Sequence, residues 1–135
     1  MSMPASTNPG LSRFLNKVAA FLVRQWLTVR FQFIDRRYGK LVLEQIDGVP
    51  LIILPDVFNP VLLRTGKFMA QAIRQAPITP DSFVLDLGAG SGVGAIFAAR
   101  RGAKTIAIDI NPEAVRCARI NAILNDLESQ ITVLH

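Results

Sequence analysis

Three apolar patterns follow one another along this chain. From Leu11 to about Phe33 the apolar residues Phe14, Leu15, Val18, Phe21, Leu22 and Trp26 return at three- and four-residue steps. Arg13, Lys17, Arg24 and Arg30 lie off that stripe, so the period predicts an amphipathic helix, with Ser12 placed to cap it. The pattern then shortens to that of strands in Lys40 to Ile46 (KLVLEQI) and Val49 to Leu54 (VPLIIL). Asp47-Gly48 between them is the residue pair a two-residue hairpin turn demands, and Pro50 argues that the second strand lies at an edge. A loop from Pro55 to Pro60 leads to a helix expected over about Val61 to Gln75, which Pro77 and Pro80 end.

The third pattern is continuous. Phe83, Val84, Leu85 and Leu87 make a short apolar run of the kind a parallel strand shows when both faces are covered. Asp86 interrupts it, and a carboxylate in such a strand needs a partner. Gly88, Gly90 and Gly92 then alternate, removing side chains where the backbone turns and a ligand can approach. A helix follows from Val93 to Arg101, its first amides expected to face that ligand, and Gly102 closes it after Arg100 and Arg101, whose charges suit a helix C-terminus. Thr105 to Asp109 is the second parallel strand. Asn111 caps the next helix, with Pro112 at its first position and Glu113 in its first turn, and that helix runs to about Asn125. Ile131 to Leu134 is the third strand. Right-handed crossovers place these strands in the order 3-2-1, which leaves the first at an edge with one row of unpaired backbone groups.

Composition narrows the picture. The chain has 135 residues, half of them hydrophobic, enough for one α/β domain with a real core. The single cysteine, Cys117, excludes an internal disulfide and any multi-cysteine metal site, and points to an intracellular, cytoplasmic setting. The lone histidine, His135, leaves no histidine cluster, and no metal site is expected. Met1 to Gly10 reads as a polar, disordered tail without the features of a signal peptide. The first helix is too interrupted by charge to span a membrane, and docking on its own domain is its expected fate. Residues 1–80 hold ten Lys/Arg against four Asp/Glu, whereas residues 81–135 hold five against six. The basic character thus belongs to the N-terminal part, which suits an enzyme acting on RNA or a ribonucleoprotein as well as it suits a solvated helix face. The division expected is a tail over 1–10, a basic helix, hairpin and lead-in helix over 11–80, and the glycine-rich unit over 81–135.

The glycine turn admits two readings. Gly90-x-Gly92-x-x-Ala95, with Asp109 at the distance of a ribose-binding acid, satisfies a loose dinucleotide fingerprint. Against it, Asp86 sets a negative charge beside the turn that must hold two phosphates, and suits an ammonium or sulfonium instead. The alternation Asp86-x-Gly88-x-Gly90-x-Gly92 also has one glycine more than a dinucleotide turn asks for.

Asp86-Leu87-Gly88-Ala89-Gly90-Ser91-Gly92, the acid Asp109 after the next strand, and Asn111-Pro112-Glu113-Ala114 resemble the class I S-adenosylmethionine-dependent methyltransferases over about residues 80–135. The resemblance implies a Rossmann-like half-sheet that binds S-adenosylmethionine. Asp86, Gly88, Ala89, Gly90 and Gly92 would surround the methionine part, Asp109 would take the ribose hydroxyls and Ile110 would pack on the adenine. The hairpin, Val57-Phe58-Asn59-Pro60, Thr65, and Asn121 and Asn125 in RINAILND are similar to the small-domain branch, which includes protein-glutamine N5-methyltransferases and RNA N-methyltransferases. Phe58, Pro60 and Thr65 would then belong to a substrate or cofactor loop. The implied partner is a protein or RNA methyl acceptor connected with the ribosome or translation. That branch carries an Asn-Pro-Pro-Tyr-type motif after a fourth strand, and none occurs here. The chain therefore reads as a C-terminally truncated fragment in which no side chain is assigned as catalytic. The competing readings are an NAD(P)-binding oxidoreductase module and a non-catalytic cofactor-binding or assembly subunit.

Overall fold

The computed structural model describes residues 17–26, 39–62 and 64–135. The chain divides into two units, Met1–Asp35 and Arg36–His135. In the first, residues 17–26 form a helix, α1, which bears Val18, Phe21, Leu22 and Trp26 of the expected stripe. The tail Met1 to Gly10 and the ends of the expected helix, with Ser12, Phe14 and Leu15, lie outside the described residues. No helix among the described residues is long and apolar enough to cross a membrane.

The second unit opens on the hairpin of β1 (Val42–Ile46) and β2 (Val49–Ile53), antiparallel and in register from Val42 opposite Ile53 to Ile46 opposite Val49. Asp47 and Gly48 both take positive φ, 48° and 85°, the conformation that closes a two-residue turn without splaying the strands. Ile46, Val49, Leu51 and Ile53 are buried, so one face of the hairpin joins the core.

The helix expected from Val61 begins later, as α2 (Thr65–Gln75). The reason is local: the buried Asn59 accepts from the Val61 N–H through Oδ1 at 2.9 Å, and Arg64 turns left-handed at φ 60°. Gly66 is the only residue type that fits where it stands, since a Cβ would lie 2.6 Å from Ile46 Cδ1 and 2.7 Å from Pro60 Cβ.

Strands β3 (Phe83–Leu87), β4 (Lys104–Ile108) and β5 (Ile131–Leu134) form a parallel sheet in the order β3-β4-β5, with β3 at the edge as expected. Helices α3 (Val93–Ala99) and α4 (Pro112–Leu124) pack against it, α2 packs on α3, and β2 packs on α4. All seven residues of α3 are buried, which its small side chains permit. The expectation that β3 is covered on both faces is corrected. Val84 and Asp86 share the face of the buried Thr105, Ala107, Ile131 and Val133, while Phe83, Leu85 and Leu87 are 80%, 57% and 70% exposed. No described element of the second unit packs on that second face.

A second correction concerns Arg101. Its guanidinium serves α2 and not its own helix, donating to the C=O groups of Ile73 at 3.1 Å, Ala76 at 3.0 Å and Ile78 at 3.0 Å, and to that of Arg74. Those of Ile73 and Arg74 belong to the last turn of α2, where a helix end leaves carbonyls short of partners, and those of Ala76 and Ile78 to the segment that follows it.

Candidate cofactor site

The turn between β3 and α3 is built from backbone bonds. The N–H groups of Gly88 and Ala89 both donate to the C=O of Ile108, at 2.8 and 3.0 Å, which pins the turn to the end of β4. Gly88, Gly90 and Gly92 all take positive φ. They differ in what a side chain would meet. A Cβ on Gly88 or Gly90 meets nothing within 4 Å, whereas one on Gly92 comes 3.1 Å from the Cβ of Ala118. The first two glycines leave open space for a ligand, and the third lets α3 approach α4.

Both acids of the sequence pattern hold backbone amides. Asp86 Oδ2 accepts from the N–H of Ala95 at 2.9 Å, which gives the half-buried carboxylate its partner at the start of α3. The expectation that the first amides of α3 all face a ligand is corrected at this position. Gly94 makes the contact possible, for a Cβ there would lie 2.8 Å from Asp86 Oδ2. Burial pushes the Asp86 carboxyl above the usual carboxylate range. The Ala95 N–H pulls against that rise, and the charge of Asp109 adds to it. Asp109 accepts from the N–H of Gly90 through Oδ2 at 2.7 Å and from that of Asn111 through Oδ1 at 2.9 Å, so it joins the glycine turn to the start of α4. Asn111 caps α4 by accepting from Glu113 N–H at 3.0 Å, and its Nδ2 reaches across to the C=O of Asp56 at 2.9 Å.

A cavity of about 410 Å³ lies over this turn. Of the residues picked out from sequence, it brings together Asp86, Gly88, Ala89, Gly90 and Asp109 on one side with Phe58, Pro60 and Thr65 on the other. Gly92 and Ile110 do not line it: Gly92 packs on Ala118, and the Ile110 side chain is 91% exposed. Sequence reasoning missed Asp56, Ser91, Met69 and Asn111, which also line the cavity. Asn111 was visible as a helix cap and as part of the Asn111–Ala114 motif, with no site role of its own. Asp56 had no local signal beyond its place in a proline-bounded loop, where it takes φ 62°.

Among the described residues the lining carries three carboxylates, Asp56, Asp86 and Asp109, and no Lys or Arg. These carboxylates are spread along the cavity, since among the described residues no group of three or more His, Cys, Asp and Glu could hold a metal ion. The turn also spends its amides internally, at Gly88, Ala89, Gly90 and Gly92. An acidic wall with engaged amides is a poor seat for a pyrophosphate and a favourable one for a ligand with cationic groups. Open space over Gly88 and Gly90, an acid at the end of β4 and apolar Phe58, Pro60 and Met69 opposite fit S-adenosylmethionine, whose ammonium and sulfonium are both positive.

Comparison with known proteins agrees with this geometry. The family model described as Ribosomal protein L11 methyltransferase (PrmA) matches residues 64–135, just over half of the chain. A ribosomal protein L11 methyltransferase of Pelobacter propionicus is 52% identical over 56 residues, 41% of this chain and 18% of that protein. The one from Desulfitobacterium hafniense is 45% identical over 94 residues, 67% of this chain and 30% of that protein. Among solved structures, a tRNA methyltransferase of Methanocaldococcus jannaschii superposes with a TM-score of 0.59 at 30% identity, over 70% of this chain and 29% of that one. The chain thus spans between 18% and 30% of the length of these relatives.

Proposed function

Given that the chain belongs to the ribosomal protein L11 methyltransferase (PrmA) family, a family of S-adenosylmethionine-dependent class I methyltransferases, we propose that its cavity is the cofactor site of an N-methyltransferase acting on a protein or RNA of the translation apparatus. The observation that carries the reading is the charge of the lining: among the described residues, three carboxylates and no cation around an open glycine turn. When bound, the cofactor supplies a methyl group made electrophilic by a sulfonium.

The chain's own residues would bind and orient. Asp86 and Asp56 lend negative charge to the cavity where cationic groups must lose water, and Asp109 would accept hydrogen bonds from hydroxyls while it holds Gly90 and Asn111 in place. Phe58, Pro60 and Met69 form an apolar wall opposite, which excludes water from a displacement that depends on the placement of two reacting atoms. Gly92 supports the turn from behind. Ile110 is an exposed apolar plate beside Asp109, free to stack on a ring. A protein acceptor is favoured by the family's description and by the relatives of highest identity, and the glutamine amide and the base amino group both remain within the proposal. A cytoplasmic setting belongs to it too.

Isothermal titration tests the cofactor. S-adenosylmethionine and S-adenosylhomocysteine are expected to bind, and Asp109→Asn to weaken both about tenfold. Binding of NAD with no response to either would overturn the reading. Transfer of a labelled methyl group to ribosomal protein or to tRNA in parallel assays assigns the acceptor class, and labelling of neither would remove the proposed substrate.

A further inference from the structure

Asn121 lies in the last turn of α4 with its side chain fully buried, and its amide is engaged at both ends. Oδ1 accepts from the N–H of Ile52 at 2.7 Å. Nδ2 donates to the C=O of Ile52 at 2.7 Å and to the C=O of Ser91 at 2.9 Å. To β2 the side chain therefore behaves as the next strand would, taking up one residue's outward N–H and C=O together. To the glycine turn it is the donor that holds the carbonyl between Gly90 and Gly92. Its neighbours on α4 reach one side only: Cys117 Sγ meets Ile52 O at 3.1 Å, and Asn125 Nδ2 meets Pro50 O at 3.0 Å.

What these two anchor points carry makes the link consequential. Ile52 lies in the strand that runs directly into the loop of Asp56, Phe58 and Pro60, one wall of the cavity. Ser91 lies in the turn that forms the other wall. In a buried site, an amide released at one end strands a backbone group without a partner, so motion of either wall is resisted by the bonds to the other. We propose that Asn121 is a positioning residue that couples the hairpin and its loop to the glycine turn. A ligand seated on the turn then orders the hairpin, and an ordered hairpin tightens the ligand by the same factor. The choice of S-adenosylhomocysteine as probe rests on the function proposed above, whereas the coupling itself does not.

The test combines hydrogen exchange with titration on the full chain. Asn121→Asp keeps the shape and the acceptor but removes both donors, and Asn121→Ser is a smaller disturbance should the first not fold. Asn125→Ala loosens the hairpin without touching the turn. In the wild type, saturating S-adenosylhomocysteine is expected to slow exchange of the Ile52 amide. In either Asn121 variant that slowing disappears, the Gly90 and Gly92 amides of the free protein exchange faster, and the dissociation constant rises about tenfold. Asn125→Ala quickens exchange in the hairpin and leaves the dissociation constant within about twofold. The proposal falls if the ligand leaves Ile52 unaffected in the wild type, if it slows Ile52 equally in the Asn121 variants, or if Asn125→Ala weakens binding as much. Should neither Asn121 variant fold, the wild-type response at Ile52 decides. Should the wild type bind no S-adenosylhomocysteine, the functional reading fails, and the free-protein exchange at Gly90 and Gly92 in the Asn121 variants decides the coupling.

Discussion

Asp86 answers two demands that pull against each other. Its carboxylate accepts from Ala95 N–H and faces a cavity suited to cations, yet burial disfavours its charge. Because its pKa is raised on folding, Asp86 favours the folded chain when protonated. That advantage is complete below the ordinary carboxyl value and is lost as pH rises through the raised one. Asp86→Asn keeps an acceptor for Ala95 and removes the buried charge. The variant is expected to be the more stable at neutral pH, and the gap should close as pH falls through the raised pKa, as read by urea unfolding across pH. Cofactor affinity should move the other way, weaker in the variant at neutral pH and falling in the wild type over the same acid window. The glycines divide in a similar manner. Gly92→Ala is expected to cost about 2 kcal/mol of stability, from left-handed backbone and contact with Ala118. Gly88→Ala carries only the backbone part, about 1 kcal/mol, but sets a methyl group in ligand space, so calorimetric titration should show binding hit harder than folding. That Asp86 was exceptional could be read from its place in an apolar run. That its partner is an amide nine residues on could not.

Elements were legible in kind and less so at their ends. The hairpin turn, the cap at Asn111 and the strand Ile131–Leu134 follow from local chemistry and stand as expected. The start of α2 does not, because Asn59 competes for the Val61 amide through its side chain. Arg101 shows how a residue placed for one helix comes to serve another. Arg101→Ala is expected to lower stability by about 2 kcal/mol through loss of the carbonyl cluster at the end of α2. Arg100→Ala, one residue earlier and exposed, should change it by less than about 0.5 kcal/mol. Thermal or urea unfolding of the pair separates the two roles that the sequence assigned alike. Arg74 makes a further link of this kind, with its guanidinium 2.7 Å from Asp47 in the hairpin turn.

Taken whole, the second unit is a sheet with helices on one face and an apolar second face on which no described element of that unit packs. Phe83, Leu85 and Leu87 of β3, with Ile106 and Leu134, form a surface larger than scattered exposed residues make. Leu85→Lys is expected to shift unfolding by less than about 0.5 kcal/mol, since little is buried there, and to reduce binding of an apolar dye such as ANS. A large loss of stability would mean that the face is covered in solution. The cavity, in contrast, depends on the whole unit: its walls come from the hairpin loop, α2, the glycine turn and the start of α4.

By itself the sequence determined the kinds of element and the strand order, because period and turn residues act over a few neighbouring positions, while the class of cofactor came from the family resemblance carried by Asp86–Gly92 and Asp109–Ala114. Packing alone decided which of those residues meet. Asp56 joins the acidic wall through a bond from Asn111, 55 residues away, and Asn121 closes the hairpin onto the glycine turn across 69 and 30 residues. Long-range pairs of this kind leave no local pattern, since each partner is an ordinary residue until the chain folds.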